Sequence, residues 1–335
     1  MKLIHLSDIH LGKRVNEFSM LEDQAHILKK ILAVVDEEKP DGVLIAGDVY
    51  DKSVPSTEAV QLFDDFLVRL AERKLPVFII SGNHDSPERL SFANRLIDAV
   101  GIHLAPVYNG VVEPITLSDE YGPVNVYMLP FIKPAHVRGF FPDTEITSYS
   151  DAVAAAIGRM NIDKTQRNVL ITHQFVTGAQ RSDSEEVSSS KRPAPNIAAV
   201  AELKEKGTLE IHTVPLIPRR DMVELKGSYQ QLTLREFYEN TTYQEDYTHI
   251  TLTDEEDIPD AVAKLRAVYH NLMKLDYDNT RTRHSAAISG AENVETRSPI
   301  DLFAEFYELQ NGLPMSAEQT ELVASLIEKI WEGEE

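Results

Sequence analysis

Val77-Phe-Ile-Ile-Ser-Gly-Asn-His-Asp85 is a run of four apolar residues, a Ser-Gly pair and three polar residues. The unbroken apolar run predicts a strand covered on both faces. Gly82 allows the sharp exit that delivers the next side chains into a cleft. In open α/β sheets, ligands bind in that cleft beyond the strand ends. The design recurs along the chain. Lys2 to His10 reads as a strand ending in Asp8 and His10, and Gly42 to Asp51 as one ending in Asp48 and Asp51. Asn168 to His173 reads as a strand ending in His173. Four strands that each deliver Asp, His or Asn at the same end can converge on one site. Carboxylate, imidazole and amide oxygen together suit Mn²⁺, Fe²⁺, Zn²⁺ or Mg²⁺.

Between these strands the apolar spacing changes to that of helices. Leu21, Ala25, Leu28, Leu32 and Val35 share one helical face, and Pro40-Asp41-Gly42 ends that segment. Leu62, Phe66 and Leu70 mark a second helix over Glu58 to Lys74, with Ser56 as its N-cap. A third is expected from Pro87 to Val100. Strand and helix in alternation imply βαβ units and a largely parallel sheet. From His103 to Leu129, Pro106, Asn109-Gly110, Pro114 and Gly122-Pro123 break the chain into short segments expected to pair antiparallel, as in the second sheet of a sandwich. Ser148 to Met160 is expected to be helical. Thr177 to Asn196, with Ser-Asp-Ser-Glu-Glu, three consecutive serines and two prolines, has the composition of a loop. Ile197 to Leu203 and Thr208 to Leu216 are expected to form a hairpin around Lys206-Gly207. Beyond Arg220 a helix, a strand and a helix are expected, near Ser228 to Tyr238, Tyr247 to Thr253 and Pro259 to His270. Pro299 to Gln310 and Ala317 to Trp331 read as a pair of helices around Asn311-Gly312-Leu313-Pro314, the second capped by Ser316.

The order Asp8-x-His10, Gly47-Asp48-x-x-Asp51, Gly82-Asn83-His84-Asp85, His173 resembles the calcineurin-like metallophosphoesterases. The surrounding segments, Leu6 to Lys13, Gly47 to Pro55 and Ser81 to Pro87, resemble the nuclease subunits of bacterial DNA-repair complexes within that family. Any one motif is weak, and the combined order is specific. The resemblance implies an α/β fold: a four-layer β-sandwich flanked by helices, with a small α/β capping domain and a C-terminal helical pair. It implies domains over 1–216, 217–297 and 298–335: a nuclease domain, a cap that restricts which DNA enters the cleft, and a helical pair that binds an ATPase partner bearing a coiled coil. It also implies DNA as substrate, a homodimer within a heterotetramer, and two divalent metal ions, Mn²⁺ first and Mg²⁺ as the alternative. Asp8 and His10 are then expected on the first metal, Asp48 bridging both, and Asn83 and His173 on the second. His84 is expected beside the leaving-group oxygen as a catalytic group, oriented by Asp85.

Composition sets outer bounds. With no cysteine among 335 residues, disulfides and thiolate metal sites are excluded, and a reducing cytoplasm is the natural compartment. Asp8 and His10 interrupt any signal-peptide core, and no apolar run reaches membrane-spanning length, so no membrane association is expected. The net charge of -21, from 54 acidic and 33 basic residues, weighs against tight DNA binding by the isolated chain. Bound cations or a partner protein can reverse that balance locally.

The resemblance breaks at one place. The family pattern continues after the His173 motif with a long segment ending in Gly-His-x-His, whose two histidines complete the metal sites. No Gly-His dipeptide occurs in this chain, and no histidine lies between His173 and His212. A deletion-like gap is therefore expected near residues 187–201, costing each metal one ligand. Three function classes follow: a metal-dependent DNA nuclease subunit, a phosphoesterase acting on small diesters or phosphoproteins, and a subunit that keeps the scaffold but hydrolyses poorly. The cap-like region and helical pair argue against the second, and the missing histidine pair supports the third.

Overall fold

The structure is a computed structural model. It describes residues 1–335 except 93, 175–196, 206–207, 283–298 and 333–335. The Ser- and Pro-rich stretch and His284 lie outside the described residues. The chain divides into two compact units, Met1–Arg219 and Arg220–Glu335.

The first unit opens with β1 (Lys2–Leu6), the two-residue strands β2 (Arg14–Val15) and β3 (Phe18–Ser19), and helix α1 (Leu21–Glu38). Then come β4 (Gly42–Ala46), α2 (Thr57–Glu72), β5 (Val77–Ile80), the one-turn helices α3 (Pro87–Leu90) and α4 (Asn94–Ile97), and β6 (Ile102–Leu104). β1, β4, β5 and β6 are parallel neighbours. β10 (Ile197–Leu203) adds to β1 antiparallel and β11 (Leu209–Pro215) closes that edge as its hairpin partner. A second sheet is made of β7 (Ile115–Asp119), β8 (Gly122–Leu129) and β9 (Arg167–Thr172).

The unbroken apolar strands are explained by their two covered faces. Ile4, Val43, Ile45, Val77 and Ile79 pack against Ile27, Ile31, Phe63 and Phe66 of α1 and α2. Leu3, Leu44, Phe78 and Ile80 point the other way and meet Val126 and Ile171 of the second sheet. That sheet's far side carries Tyr127 and Leu129, covered by Val137 of α5 (Pro134–Arg138) and Ala152 and Ala156 of α6 (Tyr149–Arg159). The result is four layers: helices, sheet, sheet, helices. Burying one large side chain such as Phe78 contributes about 1.5–3 kcal/mol.

Several expectations change. α1 buries Ile27 and Ile31 and leaves Ala25 exposed, so its stripe is wider than the leucine spacing alone. Pro87 to Val100 is two short helices and a 3₁₀ turn, not one helix. No residue of α3 or the 3₁₀ turn is fully buried, and among the described residues of this stretch only Leu90 and Ile97 lean on the core, so little packing selects a continuous helix. Ile102–Leu104 joins the first sheet in parallel, and only β7 and β8 form the antiparallel pair expected for that region. β9, which leads into His173, belongs to the second sheet, parallel to β8.

The second unit has a three-stranded parallel sheet of β12 (Met222–Gly227), β13 (Tyr247–Leu252) and β14 (Asn271–Tyr277). Helices α7 (Tyr229–Thr233), α8 (Arg235–Tyr238) and α9 (Ala261–Arg266) connect them. Leu225, Leu232, Ile250, Leu265, Tyr269 and Leu272 form its core. Two longer helices follow, Pro299–Asn311 and Ala317–Glu332. Gly312 (φ 70°) stops the first, and Ser316 and Gln319 cap the second reciprocally, at 3.2 and 2.9 Å.

Candidate metal centre

The centre is built on the loops that follow β1, β4 and β5. Asp8 (φ 54°), His10 (φ 46°) and Asp48 (φ 48°) all adopt the left-handed backbone region. Such residues cost roughly 1–3 kcal/mol each and persist where the surroundings over-determine them. The surroundings here are other backbone groups. Asp8 N–H donates to the Gly47 carbonyl (3.2 Å), His10 N–H to Asp48 (2.8 Å), Leu11 N–H to Val49 (2.8 Å) and Asp51 N–H back to Leu11 (3.1 Å). Two loops from neighbouring strands thus extend the sheet's pairing beyond the sheet.

The third loop closes on these two. A Cβ at Gly82 would collide with Asp48 Oδ1, and one at Gly47 would lie 2.7 Å from the His173 ring. Both positions require glycine, Gly47 also for its φ of 85°. The buried Asp85 carboxylate accepts from Gly82 N–H (2.9 Å), Val49 N–H (3.1 Å) and Tyr50 N–H (2.9 Å), stapling the β5 loop to the β4 loop.

Asp48 sits at the middle, 3% exposed. Its Oδ1 accepts from the His84 backbone N–H at 2.9 Å. Its Oδ2 faces His173 Nε2 at 3.5 Å and His10 Nε2 at 3.7 Å. Two groups of donor atoms result, each within 4.8 Å: Asp8 with Asp48 and His173, and His10 with Asp48 and His84. Asp48 belongs to both. Asp8 Oδ1 also lies 3.8 Å from His10 Nε2.

Charge and burial oppose each other here. Burial is the largest influence on Asp48 and pushes its pKa up, but His173 and the His84 N–H together hold it below the ordinary value. Burial likewise presses His173 down, yet the Asp48 carboxylate and the Ala46 carbonyl raise it to about 9. For His10, burial wins over Asp48 and the pKa is lowered. Burial also raises Asp85, against its three N–H donors. A divalent cation fits this donor set. His173 Nδ1 is anchored on the Ala46 carbonyl at 2.8 Å, so Nε2 faces inward, as ligating histidines do. The proton that this raised pKa gives His173 is the one a cation binding at Nε2 would displace.

The structure brings Asp8, His10, Asp48, His84 and His173 together, and places Asn83 exposed at the same strand end. The hydrogen bonds around His84 correct one expectation. His84 Nδ1 is 3.0 Å from the Asp51 carbonyl, while Asp85 bonds backbone N–H groups and reaches His84 only through the loop. The four strands converge from two sheets, since His173 arrives from the facing sheet. Sequence reading missed Gln24, buried on α1, which grips the His10 loop. A polar residue inside an apolar helical stripe was the signal for it. His103, His212, His249 and His270 pair with Asp98, Glu38, Asp276 and Glu245.

Residues 1–201 match the calcineurin-like phosphoesterase family, and the chain belongs to it. Family membership implies divalent metal ions and supports a metal-dependent phosphoesterase. Residues 218–311 match the family described as type 5 capsule protein repressor C-terminal domain. The chain is similar over its whole length to proteins named as the SbcD subunit of the nuclease SbcCD. It is 27% identical to the one from Staphylococcus epidermidis over 382 positions, covering 100% of both. It is 27% identical to the one from Staphylococcus saprophyticus over 386 positions, covering 99% of both. The first alignment runs to 382 positions against the 335 residues of this chain, so some positions of that relative have no counterpart here. Among the described residues, no helix is long and apolar enough to cross a membrane.

Proposed function

We propose that this chain is an SbcD-type nuclease subunit that hydrolyses DNA phosphodiesters with two divalent metals, preferably Mn²⁺. It would act as an exonuclease on double strands and an endonuclease on single strands. The observation that carries this reading is Asp48, whose Oδ2 faces both His10 Nε2 and His173 Nε2. Paired metals supply a nucleophile at neutral pH and neutralise phosphate charge. In this reading Asp8 and His10 hold one metal, Asn83 and His173 the other, and Asp48 bridges. His84, held on the Asp51 carbonyl, stands beside the leaving-group oxygen, and Asp85 acts by fixing both loops that flank it. Residues 1–216 form the nuclease domain, 217–297 the cap and 298–335 the partner helices. The partner is an SbcC-type ATPase, which couples cleavage to ATP in DNA repair, recombination and replication in the cytoplasm. Phe303, Phe306, Leu322 and Leu326 stay exposed on the helical pair, which supports docking onto the ATPase coiled coil as helix in groove. Phe92, Leu96 and Val100 are exposed, which supports an apolar contact with a second copy of this chain.

A second reading, a scaffold subunit with impaired hydrolysis, is favoured by the missing Gly-His-x-His and by the longer alignment with the relative. The test measures Mn²⁺-dependent cleavage of labelled duplex DNA with the ATPase partner, beside a cyclic nucleotide and an aryl phosphate. It compares this chain with a version carrying a family-like segment between Val187 and Ala201. DNA cleavage that rises strongly on restoration is expected. Equal rates would show that other residues complete the site, and preference for the small esters would contradict the nuclease reading.

A further inference from the structure

The two histidines that face Asp48 Oδ2 are held differently. The His173 ring is tied down through Nδ1 on the Ala46 carbonyl. His10 Nδ1 is buried and makes no hydrogen bond among the described residues, with the nearest carboxylate oxygen, on Asp51, 3.9 Å away. A ligating histidine ordinarily takes its ring direction from a partner on its second nitrogen. The direction of the His10 ring must instead come from its backbone. That backbone is left-handed at His10 (φ 46°) and again at Gly12 (φ 84°).

Gln24, 1% exposed in α1, reaches both sides of this turn. Its Nε2 donates to the His10 carbonyl at 2.7 Å, and its Oε1 accepts from Gly12 N–H at 3.0 Å. One planar amide therefore spans His10-Leu11-Gly12, as a neighbouring strand would. The same helix face otherwise buries Ile27, Leu28 and Ile31. An amide among them is unfavourable unless bonded, and an apolar residue would fill the space equally well. We infer that Gln24 is a positioning residue for the metal centre, setting the direction of the His10 ring through the His10–Gly12 backbone. The inference rests on the reading that His10 binds metal.

The experiment is Mn²⁺ titration of the full chain by calorimetry, with thermal unfolding in chelator run alongside. Gln24→Met keeps length and removes both bonds. Gln24→Glu keeps the acceptor and sets an oxygen against the His10 carbonyl, and it serves if the methionine variant folds poorly. Ile27→Val is the control for loss of packing on the same face. His10→Ala and His173→Ala identify which binding event depends on each histidine. Both Gln24 variants should weaken the His10-dependent event about 10-fold or more and leave the His173-dependent one in place. Ile27→Val should leave both in place. Wild-type affinity in the Gln24 variants, or an equal loss in Ile27→Val, would overturn the inference. If the wild-type chain binds no Mn²⁺ at all, the metal reading itself falls and this inference falls with it.

Discussion

The first sheet reaches the candidate metal centre through three loops, two bonded to each other backbone to backbone and the third joined to them through the Asp85 carboxylate. The second sheet reaches it through one side chain. Asp8, His10 and Asp48 stand where paired carbonyls and N–H groups put them, in a backbone conformation that few residues adopt. His173 depends on the packing of Leu3, Leu44 and Phe78 against Val126 and Ile171, and then on one bond from its ring to Ala46. One half of the centre is therefore set by chain geometry, and the other by contact between layers. Damage to the loops should be severe and local. Damage to the second sheet should be milder, and should appear at His173 alone.

The largest effect is expected at Gly82. In Gly82→Ala the new methyl would overlap Asp48 Oδ1 and the Asp48 backbone nitrogen, which leaves little room to yield. Mn²⁺ affinity should fall by more than about 100-fold, beyond the range typical of indirect support, with about 1–3 kcal/mol lost in stability. Calorimetry and denaturant unfolding measure the two. Near-normal affinity would show that the loops are softer than their bonding implies.

Next in size is the response of His173 to pH. Its folded pKa of about 9 lies above the ordinary value of about 6.5. Its charged form therefore stabilises the metal-free fold fully below about pH 6.5, and that contribution is lost as pH rises through about 9. Metal binding needs the neutral ring. Between about pH 7 and about pH 9, Mn²⁺ affinity should rise by up to about tenfold per unit, with one proton released per metal bound at His173. Titration in two buffers of different ionisation enthalpy counts that proton. A pH-independent affinity would mean that Asp48 and His173 are not paired as described.

How far the centre was legible in the sequence follows the same division. The apolar runs at Leu3, Val43 and Val77 read as buried strands because both of their faces are covered. The helices with wide buried faces, α1 and α2, were visible in their spacing. β12 and β14 were not. Met222-Val-Glu-Leu-Lys-Gly and Asn271-Leu-Met-Lys-Leu-Asp-Tyr mix charge with apolar residues, and neighbouring helices masked their short alternation. At the centre, side chains with metal-binding chemistry were legible as types in order. The Asp51 carbonyl under His84 was not, because every residue has a carbonyl. The left-handed turns at Asp8, His10 and Asp48 were also hidden, since Asp and His, though enriched there, adopt that conformation far less often than glycine does.

The smallest effect is expected far from the loops. Ser148 caps α6, accepting from Asp151 N–H at 3.1 Å on the outer layer of the second sheet. Ser148→Ala should cost about 1 kcal/mol of stability and leave Mn²⁺ affinity unchanged. A drop in affinity would show that the layer contact holding His173 is more easily disturbed than its packing implies.

The central claim is that Asp48 belongs to two metal sites at once. Its most direct test is a calorimetric Mn²⁺ titration of Asp48→Asn beside the wild-type chain. The substitution keeps the size of the side chain and removes its charge. The shared-carboxylate account predicts that the His10-dependent and His173-dependent binding events both weaken together. Unaltered binding, or loss of only one event, would contradict it.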